Sequence, residues 1–76
     1  MKVLIQNVQN QQYVSSRGGW TPDLAEADDF TVTTLAYHFA RQMTSGPFRV
    51  LLHIPETNES IKFMDGVGRA TVQGAI

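Results

Sequence analysis

Glu26, Asp28 and Asp29 fall within one short run and form the acidic cluster of this chain. Carboxylates so close together can share a divalent cation or divide general acid and base work between them. An oxygen-only cation loop needs a longer series of ligands than this run offers. Acidic groups just upstream of a helix also complement its positive end, and that is their expected role here. His38 and His53 could join them at a zinc site, but they belong to different elements and the chain has no Cys. Both read as surface histidines. Ser15, Ser16, Ser45 and Ser60 lie at turns or strand ends, and no Gly-x-Ser-x-Gly elbow is present to activate one of them. Gly66-Val67-Gly68-Arg69 faintly suggests a phosphate loop but lacks the third Gly, the Lys-Ser/Thr pair and a following helix. Arg17 beside Gly18-Gly19-Trp20 is more suggestive. Arg and Trp are enriched at binding hot spots, although a guanidinium over an indole is also a simple intramolecular contact. A ligand-binding or catalytic site built from Arg17, Trp20, Glu26, Asp28 and Asp29 is the alternative reading of the chain. It needs a concave surface that gathers those groups. No metal, no cofactor and no catalytic residue is expected from these patterns.

A chain of 76 residues has room for one core and not for a second, independent site-bearing domain. At this size a single core buries about 60% of the unfolded surface. The formal net charge of −1 gives no field to steer a polyanion. It argues against nonspecific nucleic-acid binding, which needs clustered Lys and Arg, and it is too small for a nucleic-acid mimic. Without Cys there is neither a disulfide framework nor thiolate chemistry. The apolar start Met1-Lys2-Val3-Leu4-Ile5 runs at once into Gln6 and Asn7, too short for a signal peptide or a membrane span. The default expectation is a cytoplasmic protein of a bacterium, or a phage protein made inside one, with no membrane partner.

The elements that would position these groups follow from periodicity. Lys2 to Val8 reads as a strand with apolar residues on both sides, hence central in a sheet. Gln9 to Gln12 is a turn, and Gln12 to Ser16 completes a first hairpin through Tyr13 and Val14. Gly18-Gly19 breaks that strand, and Trp20 is expected to fold back over one end of the core. Leu24 to Phe30 is either one helical turn or an irregular link. Val32, Leu35, Ala36, Phe39, Ala40 and Met43 form an i, i+3, i+4, i+7, i+8, i+11 stripe, which predicts a helix over 32–43 facing the sheet, capped by Thr31 or Thr33. Ser45-Gly46-Pro47 stops it. Phe48 to Ile54 alternates as a strand, and Ser60 to Met64 returns as another with Ile61 and Phe63 inward. Asp65-Gly66 signals a turn. The predicted fold class is α+β: a small four-stranded antiparallel sheet with one helix packed on one face, in the order β-β-α-β-β. The domain spans 1–66. The Gly-rich tail 67–76 is expected to be disordered or to add an edge strand through Ala70 to Val72.

The succession Tyr13, Trp20-Thr21-x-Asp23-x-x-Glu26-Ala27-x-Asp29-Phe30 and Ala36-x-x-Phe39-Ala40 resembles a family of short, uncharacterised bacterial proteins, in which a pair like Gln6-Asn7 precedes the aromatic strand. The likeness covers about the first 54 residues. It implies a ββαββ-like fold and transfers no activity. Where that pattern has a capping Ser or Thr two positions after the Phe, this chain has Val32.

A sheet roofed by one helix leaves its other face bare. The sequence assigns Leu4, Val14, Leu51 and Met64, with Arg49, His53 and Lys62, to that face. Apolar groups clustered with charge on so small a protein suggest a partner or a twin subunit. The leading expectation is therefore a non-catalytic protein-interaction module or accessory subunit that forms a homodimer through Leu4, Val14, Arg49, Leu51, His53 and Met64. On that reading, a charge placed at Leu51 or Leu4 abolishes association and leaves the monomer folded. Single-stranded nucleic acid stacking on Tyr13 and nearby aromatics is the remaining reading, disfavoured by the lack of a basic groove.

Overall fold

The structure, a computed structural model, describes residues 1–69. Its order is β1 (Lys2–Asn7), β2 (Tyr13–Val14), β3 (Trp20–Thr21), a 3₁₀ turn (Leu24–Glu26), α1 (Thr33–Met43), β4 (Pro47–Ile54) and β5 (Glu59–Val67). All strand pairs are antiparallel, in the sheet order β3-β2-β1-β4-β5. The α+β class and the single helix match the periodicity. The sheet has five strands rather than four, because Trp20 pairs with Val14 in β3 while its side chain packs against the main core. The turn that allows this runs through Gly18 and Gly19 at φ of 93° and 77°, a region that favours glycine. It closes with the Ser15 amide donating to the Gly19 carbonyl at 2.9 Å.

β1 is the middle strand and is buried on both faces. On one side Val3 and Ile5 meet Leu52 and Val50 of β4; on the other Leu4 meets Leu51. The first set joins Val14, Phe48, Ala36 and Ala40 in the main core beneath α1. The second set, with Ala27, Tyr13 and Leu24, is a separate small core on the reverse of the sheet. Its roof is the chain's own 3₁₀ turn, whose start is capped by the Asp23 carboxylate accepting from the Ala25 amide at 2.9 Å. Residues after this turn cross from one face to the other along the gap beside β1. Ala27 bridges Ser15, the Asp28 amide donates to the Val14 carbonyl, and the Phe30 amide donates to the Val3 carbonyl. Ala27 thereby belongs to the reverse core and Phe30 packs against the main one.

This arrangement corrects the bare sheet face. Val14 and Met64 lie on the helix side, paired with Trp20 and Val50. Leu4 and Leu51 are 0% and 6% exposed, so a charge at either would be buried without a partner and would cost folding, not association. His53 is also buried, with Nδ1 2.9 Å from Ser60 Oγ. Of the six residues assigned to the interface, Arg49 remains accessible on the reverse face, in an ion-pair series with Asp65 and Lys62.

The helix begins one residue later than predicted. Val32 is its N-cap and offers no side-chain hydrogen bond; neither Thr31 nor Thr33 caps it. Thr31 instead sits at φ 69°. β5 is longer than expected, since Asp65 and Gly66 continue the strand instead of turning. A β-bulge explains the reversed side chains. Val50 pairs with Met64 and Leu51 with Lys62, which leaves Phe63 without an opposite residue. Phe63 is half exposed at this unpaired position; Ile61, opposite Leu52, keeps the helix face of the sheet but is half exposed as well. The suggested strand through Ala70 to Val72 lies outside the described residues.

Gly66 of β5 lies against Phe48 and against Tyr37 of α1. A Cβ there would collide with Phe48 Cζ and stand 2.9 Å from Tyr37 Cε1. These two rings pack on each other at 5.6 Å between centroids. Gly66→Ala is expected to lower stability by about 1–3 kcal/mol through overpacking. A denaturant midpoint equal to that of the wild type would show that the two rings yield freely.

Candidate functional site

α1 approaches the sheet on its two small residues. Ala36 and Ala40 are fully buried, and the absence of longer side chains on that line lets the helix lie close to β1 and β4. To one side of the line Tyr37 reaches Phe48 and the Gly66 backbone. The remaining large residues of the stripe fall on the opposite side. There β2 and β3 are only two residues long each and offer little sheet to cover them. Val32, Leu35, Phe39 and Met43 are 45%, 61%, 42% and 36% exposed. The Phe39 ring rests on Phe30 at 5.0 Å between centroids, and Phe30 in turn packs on the main core. The flank is therefore an exposed apolar ridge on a fixed support. Periodicity found this stripe but turned all of it inward. The signal that separates its halves is size: Ala36 and Ala40 mark the line of closest approach, and the four large residues all lie to one side of it.

The alternative site is not assembled. Arg17 is exposed in the turn that Gly18 and Gly19 close, while Trp20 sits on the helix side of β3. Among the described residues the cation–π contact joins Arg41 to Tyr37, at 5.8 Å, and not Arg17 to Trp20. Glu26 is exposed at the end of the 3₁₀ turn. Asp28 and Asp29 lie on the crossover, and the cavities beside the end of β5, beside Lys2 and His53, and beside the end of α1 are lined by none of these five groups. His38, exposed on the outer side of α1, and His53, buried beneath the reverse face, do not meet. The described residues contain no group of three His, Asp or Glu able to hold a metal ion. Tyr13 lies on the reverse face with Leu4 and Leu51, whereas Trp20 and Phe48 lie on the helix side, so these aromatics form no common stacking surface. No described helix is long and apolar enough to cross a membrane. No protein-family model matches the chain, nor does a curated protein or a solved structure.

Asp29 has a structural task instead. Its Oδ1 accepts from the Val3 amide at 3.0 Å and from the Thr31 amide at 2.9 Å. One carboxylate thus ties the start of β1 to the chain entering α1. It also holds Thr31 in a left-handed conformation that β-branched residues rarely adopt. The Val3 amide first, and then the Thr31 amide, hold the Asp29 carboxyl below its ordinary value of 3.8. A depressed acid stabilises the fold above its unfolded pKa, and that stability is lost as pH falls through the folded value. Asp29→Ala should cost about 1 kcal/mol near neutral pH. Asp29→Asn, which keeps an acceptor but cannot titrate, should weaken the acid dependence of stability below about pH 4. Thermal melts of the three proteins across that range measure both effects. An unchanged acid limb in Asp29→Asn would remove Asp29 from the account.

Proposed function

We propose that this protein is a non-catalytic interaction module that pairs with a second copy of itself through the exposed flank of α1. The reading is carried by one observation: Val32, Leu35, Phe39 and Met43 stand exposed at i, i+3, i+7 and i+11 along a helix whose fully buried residues are Ala36 and Ala40. Four large apolar groups in a row on the surface of a small chain mark a contact surface. The stripe is self-complementary. In an antiparallel pair of helices Leu35 lies beside Phe39 of the second copy and Val32 beside its Met43, in the manner of helix packing generally. Charge does not oppose this. Within α1 the charged residue is Arg41, which is turned over the Tyr37 ring on the other flank, and the net charge of −1 gives two copies little repulsion. Interfaces of standard size use roughly 20–30 residues a side. A stripe this short supports a weak dimer with a dissociation constant on the order of micromolar. The likeness to short bacterial proteins and a cytoplasmic setting belong to the same proposal.

Sedimentation velocity over a concentration series tests it. The wild type should show a concentration-dependent dimer, and Leu35→Asp should remain monomeric with its far-UV circular dichroism retained, because Leu35 is the most exposed of the four. Leu51→Asp serves as the contrast and should unfold the chain. A wild type that stays monomeric at millimolar concentration, or a Leu35→Asp protein that dimerises like it, would dispose of the proposal.

A further inference from the structure

Beyond the apolar flank, the chain gathers positive charge at one place. A cavity of about 120 Å³ lies between the C-terminal half of α1 and the residue chain leaving β5, lined by His38, Arg41, Gln42 and Arg69. Every one of these side chains carries an N–H donor, and none is a carboxylate. Two of the chain's six Lys and Arg residues are here. Among the described residues, the ion pairs are those of Arg49 and Lys62 with Asp65, so Arg41 and Arg69 have no acidic partner there. Like charges facing one cavity repel, and an anion between them reverses the sign of that interaction.

Arg41 is held by its side chain and Arg69 by its backbone. The Arg41 guanidinium lies over the Tyr37 ring at 5.8 Å. The Arg69 amide donates to the Arg41 carbonyl at 2.6 Å, which pins the second arginine's backbone to the helix. That same bond occupies a carbonyl at the negative end of α1. The helix dipole opposes an anion here by less than about tenfold, whereas each charge-assisted guanidinium contact contributes about tenfold or more.

We infer that this cavity is an oxyanion site that takes a single phosphate group, free or as a small phosphomonoester. Its small volume admits one tetrahedral group. The planar forks of Arg41 and Arg69 suit phosphate oxygens, with Gln42 and His38 as neighbouring donors. The other cations, Lys2, Arg17, Arg49 and Lys62, do not line this cavity, so a polyanionic strand is not the ligand that the charge pattern fits.

The full chain can be titrated with inorganic phosphate and with glycerol phosphate while backbone amides are followed by NMR, using sodium chloride at matched ionic strength as reference. Saturable shifts confined to the amides of His38–Gln42 and Arg69 are expected with phosphate and not with chloride. Arg41→Gln and Arg69→Gln should each weaken binding about tenfold, and Arg17→Gln should leave it unchanged. Tighter binding of glycerol phosphate identifies a phosphomonoester as the ligand; equal or tighter binding of inorganic phosphate identifies the free ion. Shifts that are absent, linear or reproduced by chloride would overturn the inference. So would wild-type affinity in both arginine variants.

Discussion

β1 carries apolar side chains to both sides of the sheet, and a strand of that kind can exist only where both faces are covered. Val3 and Ile5 require one roof and Leu4 requires another. The described residues hold a single long helix, so the second roof must come from elsewhere. It comes from the link between β3 and α1, where the 3₁₀ turn and Ala27 close over Leu4 and Leu51. The remainder of that link has to pass back to the helix side. It does so by hydrogen bonding along the edges of β1 and β2, so its polar backbone is satisfied on the way. The acidic run found in the sequence is part of this crossover. Asp29 contributes acceptors to two backbone amides, a reason for a carboxylate at that position that involves no ligand.

The same shortage of chain shapes the outer surface. β2 and β3 are short because the link returns beside them, and little sheet remains under one flank of α1. The helix settles on Ala36 and Ala40, with Tyr37 filling the side toward Phe48 and β5. Among the described residues, Leu35 and its neighbours then find little to bury against. Burying a leucine-sized side chain is worth about 1.5–3 kcal/mol. Four such groups left partly exposed are a cost that the fold of the described residues does not recover and that the proposed pairing would. The bulge at Phe63 and the charges of Lys62 and Asp65 act in the other direction on β5. They disturb and charge an edge that would otherwise be a long unpaired strand. The proposed contact therefore rests on the helix flank and not on the strand edge.

Alternation and helical spacing were enough to place β1 in the middle of the sheet, to find α1 within one residue of its start, and to locate β4 and the first hairpin. These are local patterns of period two and 3.6, written in consecutive residues. Which way an amphipathic stripe faces is not local. Leu35 and Ala36 are adjacent in the same stripe, and only the short reach of β2 and β3 exposes one and buries the other. Leu51 and His53 alternate properly to the far side of β4, yet their burial depends on a turn some 25 residues earlier in the chain folding over them. Phe63 reads as inward in a regular strand; a single unpaired residue in the register turns it out. Arg41 and Arg69 are far apart in sequence and become neighbours when the end of β5 reaches the end of α1. Period and composition thus determined the class of fold, its central strand and its lone helix, because each is encoded within a few residues. The second roof, the exposed ridge and the cationic cavity were decided by tertiary structure, because each depends on which distant segments arrive at the same place and how far each one extends.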